Sequence, residues 1–217
     1  MMILKIAFRN IFRQRRRSLL TCLTMVIGFV LLSFSISISD GSYDRMINLF
    51  TRLNTGHVQI HKKGYHDKPS LNKTFTDPQG LMDKVNGKVK ISSWTPRVLS
   101  SSLTFIEQKT TVANIVGIDP IREPQTTLIR ERIQSGNFLP DKPSNDVMLG
   151  GTLAEILRAR VRDKIILIAQ GADGSMANDI FTVSAIMEGG NSSFDRINCY
   201  MNIKTAQDFL VLDDRYH

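Results

Sequence analysis

Twenty-two consecutive residues, Ser18 to Ser39, carry no charge, and the seventeen residues before them hold six cations and no acid. As a helix rising about 1.5 Å per residue the run would span about 33 Å. That matches a bilayer hydrocarbon core of about 30 Å. The apolar region of a secretory signal is typically about 7–15 residues, so the run reads as a permanent span. Small residues alternate in "SFSISISDG", which leaves a cleaved signal ahead of a secreted enzyme as a competing reading. The intact mass of the mature chain separates the two. The cations Lys5, Arg9, Arg13, Arg15, Arg16 and Arg17 set the topology, with the N-terminus cytoplasmic and the body translocated.

The formal charge of +8 over 217 residues suggests a nucleic-acid binder until it is located. The first seventeen residues supply +6 of it and the remaining 200 only +2. A nucleic-acid domain spreads its basic patch over a folded surface, so no nucleic-acid partner is expected. Cys22 lies in the apolar run and Cys199 in the polar body, which keeps them from pairing and makes the cysteines silent about redox compartment.

The span has neighbours and a patterned face. Ile3, Leu4, Ala7, Phe8, Ile11 and Phe12 recur at helical spacing opposite Lys5, Arg9 and Arg13, the pattern of a basic helix lying at the inner membrane surface. A positive flank that only fixes topology is the simpler alternative. Within the run, Thr21, Thr24, Gly28 and Ser35, with Ser39, share one side. A small and hydroxyl stripe allows close approach of a second helix. Beyond it Tyr43, Met46, Ile47, Phe50 and Leu53 keep the same spacing up to the stop signal Asn54-Thr55-Gly56. The expected organisation is a basic amphipathic helix over 1–17, a transmembrane helix over 18–39, a stalk helix over 40–55 and a core domain over 56–217.

From Gly56 onward the pattern predicts an α+β body. Strands are expected at His57–His61, Lys90–Trp94, 97–107 and 110–120, then around 146–149, 164–170, 179–187 and 197–203. Helices are expected near 79–85, 127–133, 152–157 and 205–212, with loops between. Thr152 is placed to cap a helix burying Leu153, Ile156 and Leu157, and Phe181, Val183 and Ala185 should share one strand face. "GADGSMAN" reads as a hairpin connection. No second apolar run approaches membrane length.

Chemistry-bearing residues are sparse. His57 and His61 alternate on an expected strand near His66, but no cysteine or acid cluster completes a ligand set, so exposed strand histidines are expected. Gly150-Gly151-Thr152 lacks the rest of a phosphate loop and reads as a tight strand–helix turn. Asp213-Asp214 reads as solvated. No nucleophile-elbow, metalloprotease or paired-cysteine motif occurs. We expect no catalysis, no metal and no cofactor.

Taken in order, "AFRNIFRQRRRSLLT", "GHVQIHKKGY", "TPRV", "GIDP", "IQSGNFL", "VMLGGTLAEIL", "DKIILIAQ" and "FTVSAI" resemble the MacB/LolC/LolE-type ABC transporter permeases, the LolC/LolE-like ones most. The resemblance implies a non-catalytic permease subunit of the cell inner membrane, with its C-terminal domain periplasmic. Its partners would be an ATPase on a separate chain, a second permease subunit, the lipid bilayer and, in one branch, lipoprotein cargo and a periplasmic carrier. Coupling would be mechanical, for lipoprotein release or related export. Met46, Ile47 and Phe50 would face cargo or the partner's stalk. Two departures stand out. The sequence ends at His217, ahead of three further spans that the family carries, and "AQGADGSMAND" is short beside the carrier-hooking hairpin of LolC-type subunits. Arg162 also stands where a turn glycine is expected. The alternative is a single-span periplasmic interaction module without transport activity.

Overall fold

The computed structural model describes residues 13–52, 56–189 and 195–217 and divides into two units, Met1–Phe50 and Thr51–His217. The first is built on one helix, α1 (Arg15–Phe50). Its stretch Arg15–Tyr43 has a mean hydropathy of 2.4 over its apolar window, none of which is buried by protein. Exposing the twelve Leu, Ile, Val and Phe residues of 18–39 to water would cost on the order of 20 kcal/mol. Lipid removes that cost, so the helix is a membrane helix. Helical turns run through the stalk to Phe50, and Gly56 then donates its N–H to the Thr51 carbonyl at 2.7 Å in a left-handed conformation.

The second unit is a mixed sheet with short helices. Its elements are α2 (Pro78–Asn86), β1 (Arg97–Ile106), β2 (Lys109–Ile118), α3 (Glu123–Thr126), a 3-10 turn (Ile129–Arg132), β3 (Ile133–Gly136) and β4 (Asp146–Leu149). Then follow α4 (Gly151–Leu157), β5 (Lys164–Gln170), β6 (Met176–Met187), β7 (Asn198–Asn202) and α5 (Ile203–Phe209). The strand order is β3-β6-β4-β7-β2-β1-β5, and β5 also pairs with β6. The ladder therefore closes on itself, because the first half of the long β6 pairs with β5 and the second half with β4 and β3.

One face of the ring holds the main core. Val98, Ile115, Val147, Leu149, Ile165, Leu167, Phe181 and Met201 pack there against Leu153 and Leu157 of α4 and Ile203 and Ala206 of α5. The other face holds a second core at one end only, made by Val116, Ile118, Met148, Ala185, Met187 and Tyr200 under Ile129 and Leu139. A bulge explains why one strand serves both. Val147 pairs with Val183 but Met148 pairs with Ala185, so Ser184 is an extra residue and the strand turns over there. Phe181 and Val183 face the main core while Ala185 and Met187 face the second, so the three residues expected on one face do not share it. Gly136 makes the bulge possible from the neighbouring strand: a Cβ on it would meet the Ser184 carbonyl oxygen at 2.1 Å, and its φ is +90°.

Other expectations also change. Residues 57–61 and 90–94 are not strands and make no ladder pairing, and Val58 is 82% exposed. The helix expected near 127–133 is only the 3-10 turn Ile129–Arg132, and the short helix α3 precedes it. Gly150, not Thr152, sits at the N-cap of α4, without a side-chain bond, and Ile156 is exposed while Leu153 and Leu157 are buried. Arg162 has φ +80° and donates its N–H to the Val183 carbonyl at 2.7 Å. A left-handed L-residue costs roughly 1–2 kcal/mol, so Arg162→Gly should raise the unfolding free energy by about 1 kcal/mol, read from the denaturant midpoint at constant slope.

Candidate functional site

Strand pairing arranges a polar cavity on the sheet face that the second core leaves open. Residues 99, 116 and 200 form one cross-strand row on β1, β2 and β7, and residues 101, 114 and 198 form the next. Leu99, Ser101, Asn114, Val116, Asn198 and Tyr200 thus share a face. Segment 59–71 lies opposite them through Gln59, Tyr65, Pro69, Ser70 and Leu71, and the space between is a cavity of about 460 Å³. Asn198 donates to the Tyr200 hydroxyl at 3.1 Å. Burial raises the Tyr200 phenol above its ordinary value, which keeps it a neutral hydrogen-bonding group.

Arg97 ends the cavity and is neutralised behind it. Its guanidinium pairs with Glu123, whose side chain has no exposure. The carboxylate also accepts from the hydroxyls of Thr95 at 3.2 Å and Thr127 at 2.9 Å. A buried carboxylate is tolerated only when its oxygens are filled in this way. A second pair, Arg132 with Asp195 at 2.8 Å, adds an Arg132 bond to the Glu188 carbonyl at 3.2 Å. It ties Glu188 and Asp195 to one side chain.

Past Ser101 the same face becomes apolar and open. Leu103, Val112, Ile166, Ile180 and Met176 are exposed there. A shallow depression of about 470 Å³ is lined by Leu103, Val112, Ile168 and Met176 among others.

His57 and His66 are exposed, as expected, but on no strand, and His61 departs from the expectation. His61 is half-buried and stacks on Tyr65 at 4.7 Å, and Tyr65 meets His217 at 5.4 Å. Among the described residues, no three His, Cys, Asp or Glu side chains converge as a metal site. Burial pushes the Cys199 thiol up to about 12, too high to supply a thiolate. Asp214 is exposed and pairs with Lys204.

Of the sequence-derived positions, Arg13, Arg15, Arg16 and Arg17 are exposed at the start of the long helix. Lys5 and Arg9 lie outside the described residues, as do the side chains of Ile47 and Phe50. Met46 is exposed. Thr21 donates its hydroxyl to the Arg17 carbonyl at 2.8 Å, and Thr24 donates to that of Thr21 at 2.9 Å. The hydroxyl protons are thereby satisfied within the helix, and their oxygens remain as acceptors. Gly28 has nothing within 4 Å of where a Cβ would stand, and Ser35 is exposed. The cavity residues escaped the sequence reading because they come from three strands and a loop. Their one local signal is a polar residue repeated two apart inside apolar strands, as in "NCY" of β7.

A long apolar helix that protein does not bury, ahead of a closed mixed sheet, defines a membrane-anchored domain. The family model described as MacB-like periplasmic core domain matches residues 18–217, and the chain belongs to that family. It is therefore the periplasmic-type domain of an ABC transporter permease, and membership implies an ATPase partner. Comparison with curated proteins finds no match. Among solved structures the chain is similar to the extracellular domain of the noncanonical ABC-type transporter YknZ from Gram-positive bacteria. The identity is 12%, the coverage 70% of this chain and 73% of that one, and the TM-score 0.49.

Proposed function

We propose that this chain is part of a permease subunit in a mechanotransmission ABC transporter of the cell inner membrane. Its N-terminus is cytoplasmic and its core domain periplasmic, and it works in lipoprotein release or related export. The observation that carries this reading is the family match running from the span through the whole core domain. The ATPase is on a separate chain, and a second permease subunit packs against the stripe Thr21, Thr24, Gly28 and Ser35. Met46, Ile47 and Phe50 face cargo or the partner's stalk, and Lys5, Arg9, Arg13, Arg15, Arg16 and Arg17 hold the cytoplasmic surface. Basic residues counted near a span set its orientation, and small residues let two helix backbones approach.

Affinity purification in mild detergent tests the assembly. The chain is expected to bring down an ABC ATPase and a second permease, and recovery of neither overturns the reading. Gly28→Leu places a branched side chain in the stripe, so recovery of the second permease should drop several-fold while membrane integration is unchanged. An unchanged yield would move the interface off this face.

A further inference from the structure

The segment that walls the cavity is held by three aromatic rings. His217 reaches β1 through two bonds: its N–H donates to the Arg97 carbonyl at 3.0 Å, and its Nδ1 accepts the Leu99 N–H at 3.2 Å. Beside it Tyr216 forms an isolated antiparallel bridge with Phe75, with both N–H to carbonyl bonds at 2.9 Å. Tyr65 meets the His217 ring at a tilt, and His61 stacks on Tyr65. Acceptance at Nδ1 fixes His217 as the Nε2–H tautomer. The His61 Nε2 lies 3.3 Å from the Gln59 side-chain oxygen, which makes His61 an Nε2–H donor too. Its Nδ1 lone pair and the His217 Nε2 are buried and make no well-formed hydrogen bond, with the Ser70 and Leu71 backbone near the His217 ring. Each ring is built to be neutral.

We propose that His61, Tyr65 and His217 form an acid-released latch: the neutral rings hold segment 57–75 over the cavity, and protonation frees it. A proton on the His217 Nδ1 would set two donors, the ring N–H and the Leu99 N–H, against each other. A proton on the His61 Nδ1 would be buried with no acceptor. Burial, then the neighbouring His61, depress His217 to about 4, outweighing the Ser70 and Leu71 backbone, which favours the charged ring. Burial, then His66, lower His61.

The charged groups around the latch do not offset this. From the segment come His66 and Lys73, whose ammonium is bonded to the Gly64 and Lys68 carbonyls. From β1 comes Arg97, paired with Glu123. From the C-terminal run comes Arg215, bonded to the Leu212 and Val211 carbonyls. From β7 comes Tyr200, held neutral. No carboxylate contributes to setting either histidine.

The sign follows from linkage. A histidine depressed in the closed state binds fewer protons there than in the open one. Closure is therefore favoured fully above the ordinary value of 6.5 and is lost as pH falls from 6.5 toward about 4. At pH 5.0 His217 alone shifts the closed-to-open ratio about thirtyfold. The inference is independent of transport: it concerns access to the cavity.

Hydrogen exchange on the full chain in detergent micelles at pH 7.5 and pH 5.0, corrected for intrinsic rates, tests it. Amides in 57–75 such as Tyr65, Lys68, Lys73 and Phe75, all bonded at neutral pH, should lose protection at least tenfold at pH 5.0. Those of β2 and β7 should keep theirs. His217→Gln retains an acceptor for Leu99 but cannot take up the proton, so it should suppress the change. If His217→Gln fails to fold, His61→Gln should reduce the change. Equal protection at both pH values overturns the latch. So does the same loss in a folded variant, or loss that extends to β2 and β7.

Discussion

Glu123→Gln is expected to cost the core domain about 3–5 kcal/mol, because it leaves the Arg97 guanidinium without its counter-charge. Glu123 is fully buried and binds Arg97, Thr95 and Thr127 at once. It therefore ties the start of β1 to α3, the first element after β2. Urea unfolding followed by tryptophan fluorescence reads the effect directly, since Trp94, the single tryptophan, sits beside this network with the Arg122 guanidinium 4.3 Å from its ring centre. The double replacement Arg97→Met with Glu123→Leu removes both charges and should recover much of the loss. A single variant within 1 kcal/mol of wild type would mean the pair is hydrated; a double variant no better than the single would assign the loss to packing.

Val26→Arg with Val30→Arg should abolish membrane integration. The twelve Leu, Ile, Val and Phe residues of the span contribute about −4 to −7 kcal/mol on an insertion scale, before its glycine and hydroxyls count against it. Two central arginines add about 5–7 kcal/mol and remove two of those favourable residues. One arginine leaves the balance near neutral, so the double change is the decisive one. Alkaline extraction of membranes should move the variant from pellet to supernatant, with wild type retained. A variant that stays in the pellet would show that the amphipathic segment or a partner supplies the anchoring. Intact mass of the wild-type chain, with residues 1–39 retained, separates a span from a cleaved signal.

Legibility differed between elements for physical reasons. The span was readable because twenty-two uncharged residues are a property of consecutive sequence and need no partner. β1, β2, β5 and β7 were readable because their buried residues alternate or form a short apolar run. His57–His61 alternates equally well and is not a strand. Alternation shows that a segment could be half-buried, and strand formation also needs a partner strand in register, which consecutive sequence does not reveal. The reading of β6 failed at Ser184 for a related cause: a bulge is set by two neighbouring strands, β3 and β4, and has no periodic signature of its own.

The amino-acid sequence by itself determined the membrane helix, the location of the excess charge, the α+β class and the absence of recognisable catalytic motifs, since each depends on composition or on residues a few positions apart. Tertiary structure alone decided the polar cavity, the Arg97–Glu123 pair and the His61–Tyr65–His217 stack. Their members are separated by 26 positions in the pair and by far more between Tyr65 and His217. Only closure of the ring, with Tyr216 bridged to Phe75, brings such distant side chains within bonding distance and takes from them the water that would otherwise leave them ordinary surface groups.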